Sequence, residues 1–498
     1  MTARRTAIVR AAFTAALTTT LTFAGCAKAH PAAASAPHLD PLQQLRNDLA
    51  SQLDQPGHRR TAWGVAVLSL AGGDRLFERN AGSLLVPASA MKLVTAATAA
   101  AAVGWDHVFE TTAEIGSPVE NGVLHGDLVI TGTGDPSPHG RGGTDYATAL
   151  VAALREKGIT RIDGRVVGDD NLVEEPRPGL AWSWDDLGTA SGVVSGALNI
   201  AENTLSVVVR PGATEGAATS IEMPAEARAM TIVNRSTTTP RSGQTLWAEQ
   251  RPGETGLTIA GTLAADAKPA TLVVAAGNPT LWFARFVRAR LVAAGIDVGG
   301  DAVDVDDLPE LPARGTLVYT HLSRPLADIV KPMLKNSINM YADAVLRLAT
   351  GPRGLRTTKD AIAAERAQLL TWGVAEDAIQ IADGSGLSRF NVIAPDALLT
   401  ILRRLYEPNG ASPFMEALPV AGVDGSLAER MRGTPAAGNA RAKTGSMTNV
   451  RSLTGYVTTA EGEPLAFVIV ANNFEGAPAI VTATMDRIVV RLAGFRRR

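Results

Sequence analysis

Val86-Pro87-Ala88-Ser89-Ala90-Met91-Lys92-Leu93, followed by a run of Ala, Val and Thr that ends at Gly104, is the stretch around which this 498-residue chain is organised. Pro87 suits the first turn of a helix, the alanines favour its continuation, and Gly104 supplies a stop. The pattern predicts a helix that opens near Ser89. Three residues apart, Ser89 and Lys92 share one face, which sets a hydroxyl beside an amine close to free N–H groups and the positive end of the helix dipole. That is a nucleophile with a base at hand.

Ser-x-x-Lys alone is a common tetrapeptide, but two further signatures accompany it. Lys335-Asn336-Ser337-Ile338-Asn339 contains Ser-x-Asn, and Arg441-Ala442-Lys443-Thr444-Gly445-Ser446 contains Lys-Thr-Gly. The three occur in the order of the penicillin-recognising serine enzymes. Lysine usage adds an independent argument. Of 47 basic residues only 8 are Lys, yet two of these, Lys92 and Lys443, fall inside the motifs, and Lys331 and Lys335 lie just before Ser337. Arg cannot give up its proton at physiological pH, whereas a buried Lys can.

Composition narrows the alternatives. At 46% hydrophobic and 19% charged residues the chain can bury more than one core, and about two to four domains are expected. A net charge of -2 without a basic block argues against nucleic acid as a partner. Seven scattered His without metal-ligand spacing give no reason to expect a metal, and no cofactor-binding pattern stands out; no Gly-x-Ser-x-Gly elbow points to a Ser-His-Asp hydrolase. Arg4, Arg5 and Arg10 precede an uncharged stretch from Ala11 to Gly25, the pattern of an export signal over 1–25. The sole cysteine, Cys26, follows Phe23-Ala24-Gly25 in a lipoprotein-like processing site; cleavage after Ala32-Ala33-Ala34 is the alternative, leaving a soluble chain. Both readings place the protein outside the cytoplasm, in the periplasm or cell envelope, with contact to a membrane only through a lipid on Cys26.

Residues 26–37 read as an Ala-rich tether. A helix is expected from Asp40 to Leu53, a hairpin from Trp63 to Leu70 and Arg75 to Arg79, and then the Ser89 helix. From Phe109 to Val305 short strand-like runs (Leu124 to Ile130, Arg161 to Val167, Leu205 to Val209, Ala270 to Ala275) alternate with dense Gly and Pro, and helices are expected near Tyr146 to Lys157 and Pro279 to Ala294. Helical periodicity returns at Pro325 to Leu334, Met340 to Ala349, Thr357 to Trp372 and Pro395 to Tyr406, which places Ser337 at a bend between two helices. Strands are expected at Arg441 to Ser446, Ser452 to Thr458 and Leu465 to Ala471, with a closing helix over Ala477 to Leu492. Ser89 and Ser337 are 248 residues apart, Ser337 and Lys443 only 106. An active site built from both ends must loop out the middle as separate domain material.

With its motifs placed, the chain resembles the D-alanyl-D-alanine carboxypeptidase/endopeptidase family of class C penicillin-binding proteins, peptidase family S13. The likeness extends to Gly126-Asp127-Leu128, Gly134-Asp135-Pro136-Ser137, Gly196-Ala197-Leu198-Asn199, Asp383-Gly384-Ser385-Gly386-Leu387-Ser388-Arg389, Val423-Asp424-Gly425-Ser426-Leu427 and Thr454-Gly455-Tyr456-Val457. The resemblance implies an α/β fold: a penicillin-binding-protein/β-lactamase-like transpeptidase domain, an antiparallel sheet flanked by helices, over 38–108 and 318–498. Two mainly β domains would be inserted, domain II over 109–132 and 204–317 and domain III over 133–203.

The resemblance also implies roles. Ser89 would attack a D-alanyl-D-alanine bond of a peptidoglycan stem peptide and would be acylated by β-lactam antibiotics. Lys92 would be its base, with a pKa lowered by Lys443 and by desolvation; Ser337 would relay a proton and Asn339 would orient Lys92 and the substrate amide. Lys443, Thr444 and Ser446 suit the substrate carboxylate, Gly445 lies between them, and the N–H groups of Ser89 and Ser446 would form the oxyanion hole. Asp185, Asp186 and Arg389 are candidate contacts to the stem peptide. Ile338 departs from the polar residue usual at that position. A β-lactamase would share the motifs, but no Glu-x-x-x-Asn occurs between Asn339 and Lys443. A noncatalytic wall-peptide binder is the third reading.

Overall fold

Alternation along Ala62–Ser69 (β1) sends Trp63, Val65 and Val67 to one side and Ala66 and Leu68 to the other, and both sets are buried. A strand covered on both faces belongs at the centre of a three-layer domain. The structure is a computed structural model that describes residues 40–498 except 228–229, 241–242, 252–253, 255, 352–355 and 409–411. The export signal, the tether and Cys26 lie outside the described residues. β1 joins β2 (Arg75–Arg79), β3 (Arg441–Met447), β4 (Val450–Thr458) and β5 (Pro464–Asn472) in a five-stranded antiparallel sheet of order β2-β1-β5-β4-β3. The two ends of the chain therefore meet at the β1–β5 ladder, where Val67 opposes Phe467.

Helices α1 (Pro41–Leu53), α2 (Met91–Val103), α3 (Leu326–Lys335), α4 (Asn339–Leu346), α5 (Thr358–Thr371), α6 (Pro395–Leu405) and α7 (Pro478–Ala493) frame this sheet. On one face Leu45, Leu49 and Leu53 of α1 meet Met485, Ile488 and Leu492 of α7 over Val65, Phe467 and Ile469. On the other, α2 is enclosed by α3, α4 and α6 over Ala66, Val468 and Val470. Every residue from Met91 to Ala99 is buried, which explains why this helix carries no polar stripe. Lys92 is the one charged side chain within it.

α5 contributes a second ionisable group to this interior. Glu365 is 0% exposed and its Oε1 accepts from Thr98 Oγ1 at 3.0 Å. Burial pushes its carboxyl up from 4.5 to about 8, with the Asp383 charge adding and the Thr98 and Thr95 hydroxyls opposing. The folded state thus keeps a proton that the unfolded chain releases above 4.5, so stability falls as pH rises toward 8. Glu365→Gln retains an acceptor and cannot ionise. Its melting temperature is expected to gain on that of the wild type by several degrees between about pH 5 and about pH 8. Parallel curves in thermal unfolding would refute the assignment of a buried acid.

Among the described residues the middle of the chain forms four further sheets. Expected strands Leu124 to Ile130 and Arg161 to Val167 are each split in two: Val123–Leu124 pairs with Arg161–Ile162, and Leu128–Gly132 pairs with Val166–Asp169 in a different sheet. Both chains step between sheets at Gly126 and Gly164, which touch so closely that a Cβ on Gly164 would stand 2.4 Å from the Gly126 carbonyl carbon. The Asp127 carboxylate locks the step by accepting from Arg165 N at 2.8 Å and Nη2 at 2.7 Å. Strands from within 133–203, expected as domain III, complete sheets built from 109–132, 297–304 and 316–322. The stretch with sheets of its own is 204–275, as Ser220–Glu222, Thr204–Arg210 and Ala270–Ala275, and as Ile232–Thr239, Leu257–Ala264 and Trp247–Glu249. Two-residue strands cannot stand alone, so backbone pairing and not sequence order groups them. Among the described residues no helix is long and apolar enough to cross a membrane.

Candidate active site

Val86 to Ala90 enters α2 through a short 3-10 turn, with Ala88 at φ 48°. A side chain in that region is strained, and four contacts hold it there. Asn472 of β5 brackets Val86, accepting from its N–H at 2.8 Å and donating to its carbonyl at 3.1 Å. Ser452 Oγ of β4 donates to Pro87 O at 2.7 Å. Gly445 of β3 lies against the turn, and a Cβ there would stand 2.7 Å from Pro87 O. Gly386, at φ 81°, presses from the other side, where a Cβ would meet Ala88 O at 2.0 Å. The Ser89 position is fixed by backbone contacts on both flanks.

Gly386→Ala tests this clamp. The new methyl would strike a carbonyl, not a flexible side chain, and would force a displacement of about 1 Å in the turn that presents Ser89. Such a misplacement costs about 10²-fold in rate. Ser89 acylation in the variant is expected to fall by that factor, and an unchanged rate would show the clamp to be dispensable.

Around Ser89 two Ser–Lys pairs face one cleft. Lys92 Nζ, fully buried, donates to Ser89 Oγ at 3.0 Å, Asn339 Oδ1 at 2.6 Å and Ser385 O at 2.6 Å. Lys443 Nζ, equally buried, donates to Ser337 Oγ at 2.9 Å and Thr444 O at 2.7 Å. Ser337 occupies the bend between α3 and α4 at φ 62°, a second strained position. Ile338 packs on the main core, which accounts for an apolar residue there. Asn339 Nδ2 donates to Ser191 O at 2.9 Å, tying the site to the insert.

Burial is the main cause of the lowered Lys92 amine, which falls to about 8, while the negative charges of Asp343 and Asp383 oppose it. This departs from the sequence reading, in which Lys443 shared the work. The repulsion is felt at Lys443 instead: burial first and then Lys92 hold it well below the ordinary lysine value. The difference lies in the carboxylates, which favour a charged Lys92.

Those carboxylates were not singled out from the sequence. Asp343 Oδ1 accepts from Gly384 N at 3.0 Å and Ser385 N at 3.1 Å, aiming the Ser385 carbonyl at Lys92. Asp383 accepts from Gly386 N at 2.7 Å, Ser388 N at 2.6 Å and Trp182 Nε1 at 2.8 Å. The Asp383-Gly384-Ser385-Gly386 run was visible as a motif; only the fold shows that it forms the floor beneath Ser89.

The cleft is about 440 Å³ and is lined by Ser89, Ser337, Asn339, Thr444 and Ser446, together with Ser183, Asp185, Asp186 and Arg389. Every candidate residue from the sequence that lies within the described chain is therefore gathered here or, as with Lys92, Lys443 and Gly445, directly beneath it. Thr444 Oγ1 donates to Ser426 Oγ at 2.7 Å, and Arg389 Nη2 to Thr448 O at 3.1 Å. Burial and Asp185 raise the Asp186 carboxyl above its ordinary value, and Arg389 opposes them. Lys331 and Lys335 stay out of the cleft, pairing with Asp328 and Asp424.

A helix-flanked antiparallel sheet with these two Ser–Lys pairs defines a serine hydrolase of the penicillin-recognising class. Residues 45–493 match the model of the D-Ala-D-Ala carboxypeptidase 3 (S13) family, and the chain belongs to that family as a serine-type carboxypeptidase. It is 32% identical to a D-alanyl-D-alanine carboxypeptidase of an Actinomadura species over 91% of this chain and 85% of that one. It is 31% identical to the D-alanyl-D-alanine carboxypeptidase DacB of Haemophilus influenzae, over 87% and 90%. The crystal structure of penicillin binding protein 4 (dacB) from H. influenzae superposes with a TM-score of 0.77 at 28% identity, covering 90% of this chain and 99% of that one. A structure of that protein complexed with a β-lactam gives 0.71 at 27% identity, over 90% and 99%.

Proposed function

We propose that Ser89 is the nucleophile of a D,D-peptidase acting on peptidoglycan stem peptides. The observation that carries this is the 3.0 Å contact of Ser89 Oγ with a buried lysine whose amine is partly neutral near pH 7. Neutral Lys92 accepts the Ser89 proton as Oγ bonds to the carbonyl carbon of the D-Ala-D-Ala peptide. The N–H groups of Ser89 and Ser446 hold the oxyanion, an interaction worth roughly 3 kcal/mol per donor. Ser337 passes a proton to the leaving amine, D-alanine departs, and water hydrolyses the acyl ester. The same serine step serves a crosslink or a terminal D-alanine.

The substrate carboxylate binds beside Lys443, Thr444 and Ser446. Its charge stabilises the protonated form of Lys443, and that charge in turn repels a proton on Lys92. Substrate arrival thus moves the lysine proton away from Ser89 and readies the base. Asp185 and Asp186 offer anionic partners for an amine-bearing stem residue, with Arg389 beside them. Export through residues 1–25, with or without a lipid on Cys26, would place the enzyme in the periplasm or cell envelope, where this substrate resides.

The test is incubation with penicillin and with a D-Ala-D-Ala peptide. A long-lived adduct on Ser89 together with D-alanine release is the expected result. Rapid antibiotic hydrolysis would instead identify a β-lactamase, and neither adduct nor release would leave a noncatalytic binder.

A further inference from the structure

In the insert, three carboxylates from separate stretches converge on one point. Asp170 follows the strand Val166–Asp169, Asp304 ends the strand Ala302–Asp304, and Asp306 sits in the single turn after it. One oxygen from each lies within 4.8 Å of the others. Asp170 is 1% exposed and Asp304 3%, whereas Asp306 is open to solvent. Neighbouring Asp169 has an arginine partner in Arg314, but among the described residues none of these three has a Lys or Arg ion pair.

The orphaned oxygen of Asp170 is a separate observation. Asp170 Oδ2 accepts from Thr280 Oγ1 at 2.5 Å, while Oδ1 is buried and accepts nothing. Asp304 has donors on both oxygens, Asn278 Nδ2 at 2.7 Å and Asp306 N at 3.2 Å, and keeps lone pairs toward the cluster. A buried carboxylate oxygen without a donor, set among like charges, is a position that a cation would complete.

We propose that Asp170, Asp304 and Asp306 bind one Ca²⁺ ion. An all-oxygen anionic set suits a hard divalent cation. Ca²⁺ accepts several protein carboxylates in a flexible shell at about 2.3–2.6 Å, whereas Mg²⁺ keeps most of its waters and binds through one or two carboxylates, so a convergence of three carboxylates favours Ca²⁺. None of the three residues lines the cleft around Ser89. Their position gives the ion a structural task. Asp170 opens the stretch that runs on to Trp182, Asp185 and Asp186, and an ion would fasten the start of that stretch to 304–306.

Calorimetric titration of the chelator-treated protein with CaCl₂, together with thermal unfolding in Ca²⁺, Mg²⁺ or KCl of matched ionic strength, tests the site. One-site uptake and a melting temperature higher in Ca²⁺ than in Mg²⁺ are expected, and Asp304→Asn should abolish both. Asp306→Asn, at an exposed position where folding is not at stake, should weaken Ca²⁺ binding by about tenfold or more. Absence of binding heat and of a thermal shift, or a response that survives both substitutions, would overturn the proposal. An equal response to Mg²⁺ would overturn the choice of Ca²⁺.

Discussion

Ser89→Ala is expected to lower D-alanine release by about 10⁴-fold or more and to abolish the β-lactam adduct, with little change in melting temperature. The change is clean because of what remains. Lys92 keeps Asn339 Oδ1 and the Ser385 carbonyl as acceptors, so its amine stays hydrogen-bonded, and a half-exposed hydroxyl makes a small contribution to stability. The result discriminates because the site holds a second candidate nucleophile. Ser337 Oγ lies 2.9 Å from Lys443 and faces the same cleft. Ser89, however, stands at the start of a 13-residue helix, where free N–H groups and the dipole favour a developing oxyanion. Ser337→Ala should therefore leave a measurable adduct on Ser89 and slow acylation by about 10²-fold to 10⁴-fold, the range for loss of a proton relay. If Ser89→Ala retained the adduct and Ser337→Ala lost it, the roles would have to be exchanged.

Much of this arrangement was legible in the sequence, and the division follows physical lines. The helix at Ser89 and the sheet that carries Lys443 rest on local signals: Pro87, Gly104 at φ 83°, and the continuous apolar run Leu465 to Ala471. Local patterning also placed α1, α5, α6 and α7 to within a few residues. What failed was non-local. The two-residue strands at 123–124 and 161–162 exist only by pairing with each other and with 119–120 and 297–298, and nothing in their own residues marks the break at Gly126 or Gly164. The supporting shell was hidden for the same reason. Asp343 lies one helical turn beyond Asn339 and looks like an ordinary polar position, until the fold brings Gly384 and Ser385 to its carboxylate. Ser191 contributes a backbone carbonyl, which no residue type advertises. The source of the Lys92 shift was half legible: desolvation was expected, but the two acids that oppose it, Asp343 and Asp383, reach Lys92 only through the fold.

Lys92→Arg is expected to reduce acylation by about 10³-fold or more, and raising the pH should not restore it, because a guanidinium does not deprotonate in this range. In the wild type the amine falls to about 8, so about a tenth of the enzyme holds a neutral base at pH 7. Since the neutral form is the active one, kcat/KM for the free enzyme should climb about tenfold per pH unit below 8 and level off above it. The substrate carboxylate then adds a second, separable effect. By favouring a proton on Lys443, whose amine is otherwise held well below its ordinary value, it should press the Lys92 amine lower in the complex. The midpoint of the kcat profile, which reports the complex, is therefore expected below that of kcat/KM. A peptide ending in a D-alanine amide lacks that charge, and with it the two midpoints should coincide. A pH-independent rate between about 6 and about 8 would remove Lys92 as the base, and coincident midpoints for the acid substrate would remove the proton transfer between the lysines.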